Sequence, residues 1–509
     1  MKIGIDVGGT NTDAVLIDGT RIVASIKVPT TTDVGGGIRE ALTVLLPSIG
    51  SGRVTAIVIG TTHFTNALIQ GVGLSPVAVL RIGAPATLSL PPLCDWPDRL
   101  ARCIGDFHRI VGGGHDFDGR RIAPLDEAAI ADFAREVKAR GLTSVAISSV
   151  FSVLSAVDEE RAAAILRNEV PDLAITLSSM IGRVGLLQRE NAATMNASLV
   201  ALSTRVVDSF RAVIAEIGLD APFYVSQNDG TIMSADMVAR FPVLTFASGP
   251  TNSMRGAALL SGLKDAIVVD IGGTTSDIGV IANGYPRESS IAVDIGGVRT
   301  NFRMPDLLSL GLGGGSRVHE NGIGPDSVGH RLTGEALVFG GSTLTATDIV
   351  VAAGYADIGD RSRVRHLDAI TVNGALDWIH ASLDEAIDRV KTSPAPVPVV
   401  LVGGGAVLVN RPLRSASEII VPEHSGVANA FGAALAQVGG EVDQVMLYGG
   451  SGRDNAIGQA TELARSRAAE AGAVMSTINI TEIEELPLAY LPGGAVRVRV
   501  KAVGELAGS

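Results

Sequence analysis

The sequence predicts an α/β protein built around a duplicated unit, with a small α+β unit at the end of the chain. Three observations carry that prediction. Residues 5–17, IDVGGTNTDAVLI, return as residues 268–281, VVDIGGTTSDIGVI, with Asp6 superposed on Asp270, Gly8 and Gly9 on Gly272 and Gly273, Thr10 on Thr274, and Asp13 on Asp277. Short apolar runs alternate with helical periodicities along most of the chain. Finally, 61 glycines and only 4% aromatic residues suit many tight turns between strands and helices.

Each copy reads as an apolar strand, a glycine turn and a second apolar strand, which is a β-hairpin signal. Glycine at the turn lets a ligand approach the backbone closely. Backbone N–H groups beside Thr and Asn donors suit an anion such as phosphate. An Asp closing the first strand suits a hydrated divalent cation or the orientation of an attacking water. A single copy reads equally well as an ordinary hairpin, and it is the pair in register that favours ligand binding.

A chain of 509 residues is too long for one core, and 46% hydrophobic residues can supply several. The expected division is residues 1–185, 186–440 and 441–509. A formal net charge of -12 argues against nucleic acid or an anionic membrane as the main partner. Cys94 and Cys103, the only cysteines, supply neither a disulfide framework nor a four-cysteine zinc site, which fits a reducing cytoplasm. The chain opens on a strand pattern rather than a signal peptide, and its apolar runs are too short to span a bilayer.

In chain order, residues 21–28 read as a third strand and 37–46 as a helix. The buried strand 54–60, VTAIVIG, runs into Thr61, Thr62, His63 and Asn66. Small polar donors at a strand's C-terminal end are placed where open α/β sheets bind ligands, and they serve equally as caps for the helix that follows. After a strand at 77–82, residues 112–119, GGGHDFDG, bring together His115, Asp116 and Asp118. His115 and Asp116 are weaker metal candidates, and a glycine-turn hairpin accounts for the same stretch. A helix at 126–140, a strand at 144–151, a helix at 158–169 and a strand at 173–178 follow, before a long helix at 188–217.

Residues 223–226 form a strand, and Ser248, Gly249 and Pro250 precede the helix 252–260 that leads to the second hairpin. The loop 310–317, LGLGGGSR, lacks a P-loop's Lys-Ser/Thr ending and the dinucleotide spacing. Thr347 and Asp348 open a helix, and Leu376, Ile379, Leu383, Ile387 and Val390 share one helical face. Residues 399–409, VVLVGGGAVLV, form an apolar strand interrupted by Gly403, Gly404 and Gly405, against which a flat group such as adenosine can lie. A small-residue helix at 426–436 precedes the last unit: strand 442–447, helix 455–471, and strands 477–486 and 495–503.

Two hairpins separated by helices and followed by a glycine-rich strand resemble the actin, sugar kinase and Hsp70 ATPase superfamily. The chain is similar, more specifically, to the hydantoinase A / 5-oxoprolinase family in residues 6–13, 60–68, 248–250, 270–277, 311–316, 324–329 and 345–348. The resemblance implies duplicated actin-like (ribonuclease H-like) ATPase domains, with ATP and Mg²⁺ as cofactors. It implies ATP-dependent opening of a hydantoin, 5-oxoproline or related lactam through phosphorylation of the amide oxygen. Asp6 and Asp270 would then act as catalytic residues and Mg²⁺ ligands. Gly8, Gly9, Thr10, Asn11 and Asp13, with Gly272, Gly273, Thr274, Thr275 and Asp277, would clasp the phosphates, and Gly403–Gly405 would lie under the nucleoside. Thr61, Thr62, His63 and Asn66 would face the substrate.

Residues 330–341, HRLTGEALVFGG, replace the Pro-Gly-Pro and Cys-Tyr-Gly stretches of the family's longer type. The chain thus resembles a shorter subgroup that accompanies a second protein, implying a partner subunit and an oligomer. The same family includes ketone carboxylase subunits, so carboxylation is a competing chemistry. A small-molecule kinase and a nucleotide-gated binding module are further alternatives.

Overall fold

The structure, a computed structural model, describes residues 1–9, 11–30, 34–289, 293–302, 304–488 and 494–507. Its two central sheets repeat one pattern. In the first, Lys2–Val7 pairs antiparallel with Asn11–Asp18 and parallel with Ala56–Thr61. In the second, Ala266–Ile271 pairs antiparallel with Ser276–Ala282 and parallel with Val397–Val402. Both hairpins share one register: Asp6 lies opposite Asp13, and Asp270 opposite Asp277. Each turn closes in the same way, Gly8 N donating to Asn11 O at 3.0 Å and Gly272 N to Thr275 O at 2.9 Å. The duplication in the sequence is therefore a duplication of backbone, and the architecture is a duplicated, actin-like α/β fold.

These central strands are buried along nearly their whole length, so both of their faces lie in cores, with helices covering them on each side. Ile3, Ile5, Leu16, Ile57 and Ile59 are wholly buried in the first half, and Val269, Ile271, Ile278, Val399 and Leu401 in the second. A third sheet, inserted in the first half, is all parallel, in the order His108–Gly112, Ala78–Ala84, Ser144–Ser149, Ala174–Leu177. The long helix runs from Leu186 to Glu216.

Two helices cross between the halves, Ser248–Ser261 and Ala428–Ala434. Their backbones touch. A methyl group on Gly256 would overlap the backbone of Ala428, and one on Gly432 the backbone of Asn252. The small-residue composition of residues 426–436 thus permits a close crossing at the centre of the molecule.

The C-terminal residues join the first sheet rather than standing apart from it. Gln437–Leu447 pairs parallel with Thr231–Ser234, and Ala495–Gly504 and Asn479–Pro487 extend the order outward, giving nine strands. Strands from all three expected segments therefore share one sheet. The helix Arg453–Glu470 lies on this extension through Ala456, Ala460, Ala464 and Ala468, all at 1% exposure or less. The glycine-rich run at residues 399–409 is a strand only to Val402, after which Gly403 turns at φ +84° into a short 3-10 turn at Ala406–Leu408.

Candidate active site between the two hairpins

The two hairpins place four carboxylates at the junction of the halves. Asp6 and Asp13 are each 5% exposed, and Asp270 and Asp277 occupy the equivalent positions across the junction. Burial holds the Asp6 carboxyl far above the usual range, up to about 7, with repulsion from Asp13 and Asp270 adding to it. Asp270 is raised to about 6, again chiefly by burial, with Asp277 and Asp13 adding repulsion. Asp277 is raised by burial as well. Repulsion between the sets reflects two hairpins that face one another across the junction. Lys27, from the strand next to the first hairpin, ion-pairs with Asp13, and Ser309 Oγ donates to Asp277 Oδ1 at 2.5 Å.

The crossing helices supply the neutral side chains of the site. Asn429 Nδ2 donates to Asp6 Oδ2 at 3.0 Å and to Asp13 Oδ2 at 2.9 Å. From the facing helix, Asn252 lies beside Asp6 and favours its charged form, as Ser253 does for Asp270. Asp6 Oδ1 and both amide atoms of Asn252 are buried and have no hydrogen-bond partner among the described residues. Gly60 is needed here: a Cβ on it would strike Asp6 Oδ1 and come within 2.5 Å of Asn252 Nδ2. Gly403 is needed on the other side, since its φ is positive and a side chain would strike Asp270.

The second turn is braced by the loop of Gly313, Gly314 and Gly315. Gly314 N donates to Gly272 O at 3.0 Å and Gly315 N to Gly273 O at 2.7 Å, leaving Thr274 and Thr275 exposed at the tip. In the first turn Gly9 is exposed and Gly8 and Asn11 half-buried, while Thr10 lies outside the described residues. A Cβ on Gly404 would meet nothing within 4 Å, so this face of the glycine run is open.

Thr61 and Thr62 lie next to the start of the Ser248–Ser261 helix. Ser248 Oγ donates to Thr61 O at 3.1 Å, and Thr61 Oγ1 accepts from His63 N at 3.1 Å, so Thr61 serves as a local cap. His63 is half-buried, and burial lowers its pKa, favouring a neutral imidazole. Asn66 Nδ2 reaches Thr62 Oγ1 at 3.4 Å. The structure thus carries Thr61–Asn66 alongside Gly60, which itself abuts Asp6.

His115 and Asp116 lie elsewhere, at the end of the parallel sheet. Their stretch folds as a tight hairpin, with Asp116 N donating to Arg120 O at 2.7 Å and Asp116 Oδ1 capping Phe117 N at 2.8 Å. Among the described residues, no group of three or more His, Cys, Asp and Glu side chains is arranged to hold a metal. Asp348 is buried in a capping box with Thr345 and also accepts from Val338 N, a structural role.

Asn252 and Asn429 are the polar members that sequence reasoning did not find. The Ser-Gly-Pro start of one helix hinted at Asn252. Nothing local marked Asn429, which lies in a run of alanines and glycines.

Known proteins resemble this chain in sequence and in fold. The model of the hydantoinase/oxoprolinase N-terminal region matches residues 2–170, and the hydantoinase/oxoprolinase model matches residues 189–361. The caprolactamase subunit alpha of Pseudomonas jessenii is 28% identical over 502 residues, covering 86% of this chain and 70% of the relative. The acetophenone carboxylase gamma subunit of Aromatoleum aromaticum is 27% identical over 402 residues, covering 70% of this chain, which thus spans only about half, 53%, of that subunit. Among solved structures, the ATP-dependent caprolactamase from Pseudomonas jessenii superposes with a TM-score of 0.79 at 21% identity, covering 99% of this chain and 88% of that one. Nucleotide-free acetone carboxylase does so with a TM-score of 0.70 at 18% identity, with the same coverage of each chain.

Proposed function

The chain belongs to the hydantoinase/oxoprolinase family, and from that premise we propose that it is an ATP-dependent hydrolase that opens a cyclic amide or imide ring. The observation that carries this reading is the pair of facing hairpins in one register, which bring the buried Asp6 and the half-buried Asp270 to one junction. Such a pair suits a cation and the phosphates it accompanies. ATP would supply a phosphoryl group to the amide oxygen, making the ring carbon open to water. Water adding to that carbon gives a tetrahedral centre whose C–N bond breaks, the nitrogen taking up a proton, to leave an acyl phosphate, and a second water hydrolyses this to the carboxylate and free phosphate.

The chain's own residues would act chiefly by placement, as phosphoryl transfer requires. Asp6 and Asp270 fit a Mg²⁺ ion, because Asp6 Oδ1 is buried without a hydrogen-bond partner among the described residues and a cation offsets the burial, and the added repulsion, that raise both carboxyls. Mg²⁺ keeps several waters and few carboxylates, so it needs no dense ligand cluster. We assign the phosphates to Gly8–Asn11 and Gly272–Thr275, the nucleoside to Gly403–Gly405, and the ring substrate to the Thr61, Thr62, His63 and Asn66 edge. Asp13, held by Lys27 and Asn429, and Asp277, held by Ser309, would support the neighbouring carboxylates.

The relatives carry subunit names, so a second protein belongs in the proposal. No helix among the described residues is long and apolar enough to cross a membrane, and with both cysteines free a cytoplasmic setting fits. Purified protein, alone and with a neighbour-encoded partner, should release ADP and phosphate in the presence of Mg²⁺ and one or more hydantoins or lactams. Asp6→Ala and Asp270→Ala should lower turnover far more than nucleotide affinity. Turnover that depends on bicarbonate instead of a ring substrate would shift the assignment to a carboxylase subunit, the second reading that the acetophenone carboxylase relative favours.

A further inference from the structure

We propose that Asn429 is the positioning residue that sets the placement of the Asp6 carboxylate, a role that rests on the assignment of Asp6 to the cation and phosphate site. A primary amide nitrogen has two protons, and here each goes to a different carboxylate, Asp6 Oδ2 at 3.0 Å and Asp13 Oδ2 at 2.9 Å. The amide oxygen accepts from Ala430 N at 2.8 Å, so every atom of the group is in use. Asp13 Oδ1 is taken by Lys27. Of the four oxygens on the two carboxylates, three are therefore held. Of these, Asp6 Oδ1 alone has neither a hydrogen bond nor an ion pair among the described residues, and it lies beside Gly60 and the Asn252 amide. Asn429 thus does two things at once: it keeps two like charges side by side, and it selects which oxygen of Asp6 is available.

The helix that carries Asn429 is held closely enough to set a carboxylate. A methyl group on Gly4 would overlap Ala430 O, one on Gly256 the backbone of Ala428, and one on Gly432 the backbone of Asn252. Residues on both sides of Asn429 are therefore in backbone contact with the first hairpin strand and with the facing helix. Rigid support of this kind is what a site needs to hold its groups within a fraction of an ångström. The donor spans 423 residues of sequence to reach Asp6, and it enters from the helix that follows the second sheet. The placement of Asp6 therefore depends on how the halves meet.

The role can be tested with Asn429→Ser, which keeps one donor, and Asn429→Ala, which keeps none. In the full chain, the Mg²⁺ concentration that half-saturates binding of a non-hydrolysable ATP analogue should rise about tenfold or more for the Ala variant and less for the Ser variant. Turnover should fall on the order of 10- to 100-fold for Ala with KM for ATP changed less than about threefold, again with partial recovery in Ser. Melting temperature without ligand reports folding separately. A folded Ala variant with unchanged Mg²⁺ dependence and turnover would overturn the proposal. So would equal losses in Ser and Ala that track only the folded fraction. Should no ring compound elicit turnover, the ring-opening reading fails, and the Mg²⁺ titration alone still decides the role of Asn429.

Discussion

At the scale of single residues, the site is defined by carboxylates that folding places where they are least stable as anions. Asp6 and Asp270 have folded pKa values near 7 and 6, above the ordinary 3.8. A carboxyl whose folded pKa is raised binds its proton more tightly in the folded state. Its contribution to stability is complete below about pH 4 and is lost as pH rises through 6 to 7. Asp229 is shifted the other way, downward, by Lys501 acting against its burial, and that linkage operates only below the ordinary carboxylate range. The metal-free protein should therefore melt several degrees higher at pH 5 than at pH 8, measured by calorimetry in a chelating buffer. Asp6→Asn should flatten that dependence, and added Mg²⁺ and nucleotide should do so as well, because the cation takes the proton's place. A pH dependence that survives both changes would mean that other groups control it. These carboxylates were legible in the sequence because they recur in register, Asp6 with Asp270 and Asp13 with Asp277. Asn252 and Asn429 were not, since an amide on a helix carries no local sign of the carboxylate it meets across the fold.

At the scale of elements, the crossing of Ser248–Ser261 with Ala428–Ala434 is the contact on which the site geometry depends. Replacing Gly by Ala inside a helix ordinarily gains up to about 1 kcal/mol in propensity. At Gly256 the added methyl would overlap the Ala428 backbone, and overpacking of that kind costs about 1–3 kcal/mol, or more where backbone has to move. The clash should win, so Gly256→Ala should lower the melting temperature and weaken nucleotide binding. Gly374, inside the helix Ala369–Val390, has nothing within 4 Å of its would-be Cβ. Gly374→Ala should therefore stabilise the protein by roughly 0.5–1 kcal/mol in denaturant titration. Stabilisation by both substitutions would show that the crossing is looser than its distances indicate. Helical periodicity and alternating strands made most elements readable in the sequence, because these patterns are local. Sheet membership was not readable: Gln437–Leu447 and Ala495–Gly504 carry the same alternation whether they form a separate unit or extend the first sheet. Only their long-range partners decide between these.

At the scale of the whole molecule, the halves are joined a second time by a buried ionic cluster. Glu288 follows the edge strand Tyr285–Pro286 of the second sheet, and it faces Arg499 and Lys501 on the last strand of the first. Arg499 Nη2 lies 2.5 Å from Glu288 and Lys501 Nζ 3.1 Å, with Arg183 3.9 Å away. Arg499 and Lys501 are both 5% exposed, so salt screens the cluster weakly and the charges depend on one another. Breaking a buried pair by removing one partner costs about 3–5 kcal/mol. Here the figure should fall toward the low end, since Arg499 keeps Glu482 and Glu484 and Lys501 keeps Asp229. Because Glu288 is the carboxylate that reaches across, its loss should act on the coupling of the halves more than on either core. Glu288→Ala should therefore split calorimetric unfolding into two transitions, or widen it, where the parent shows more cooperative melting. Glu288→Gln, which keeps the shape and can still accept a hydrogen bond, should lie between. A single transition of unchanged width in Glu288→Ala would show that the crossing helices and the remaining contacts hold the halves together without Glu288, and that the ionic cluster serves only the strands on which it sits.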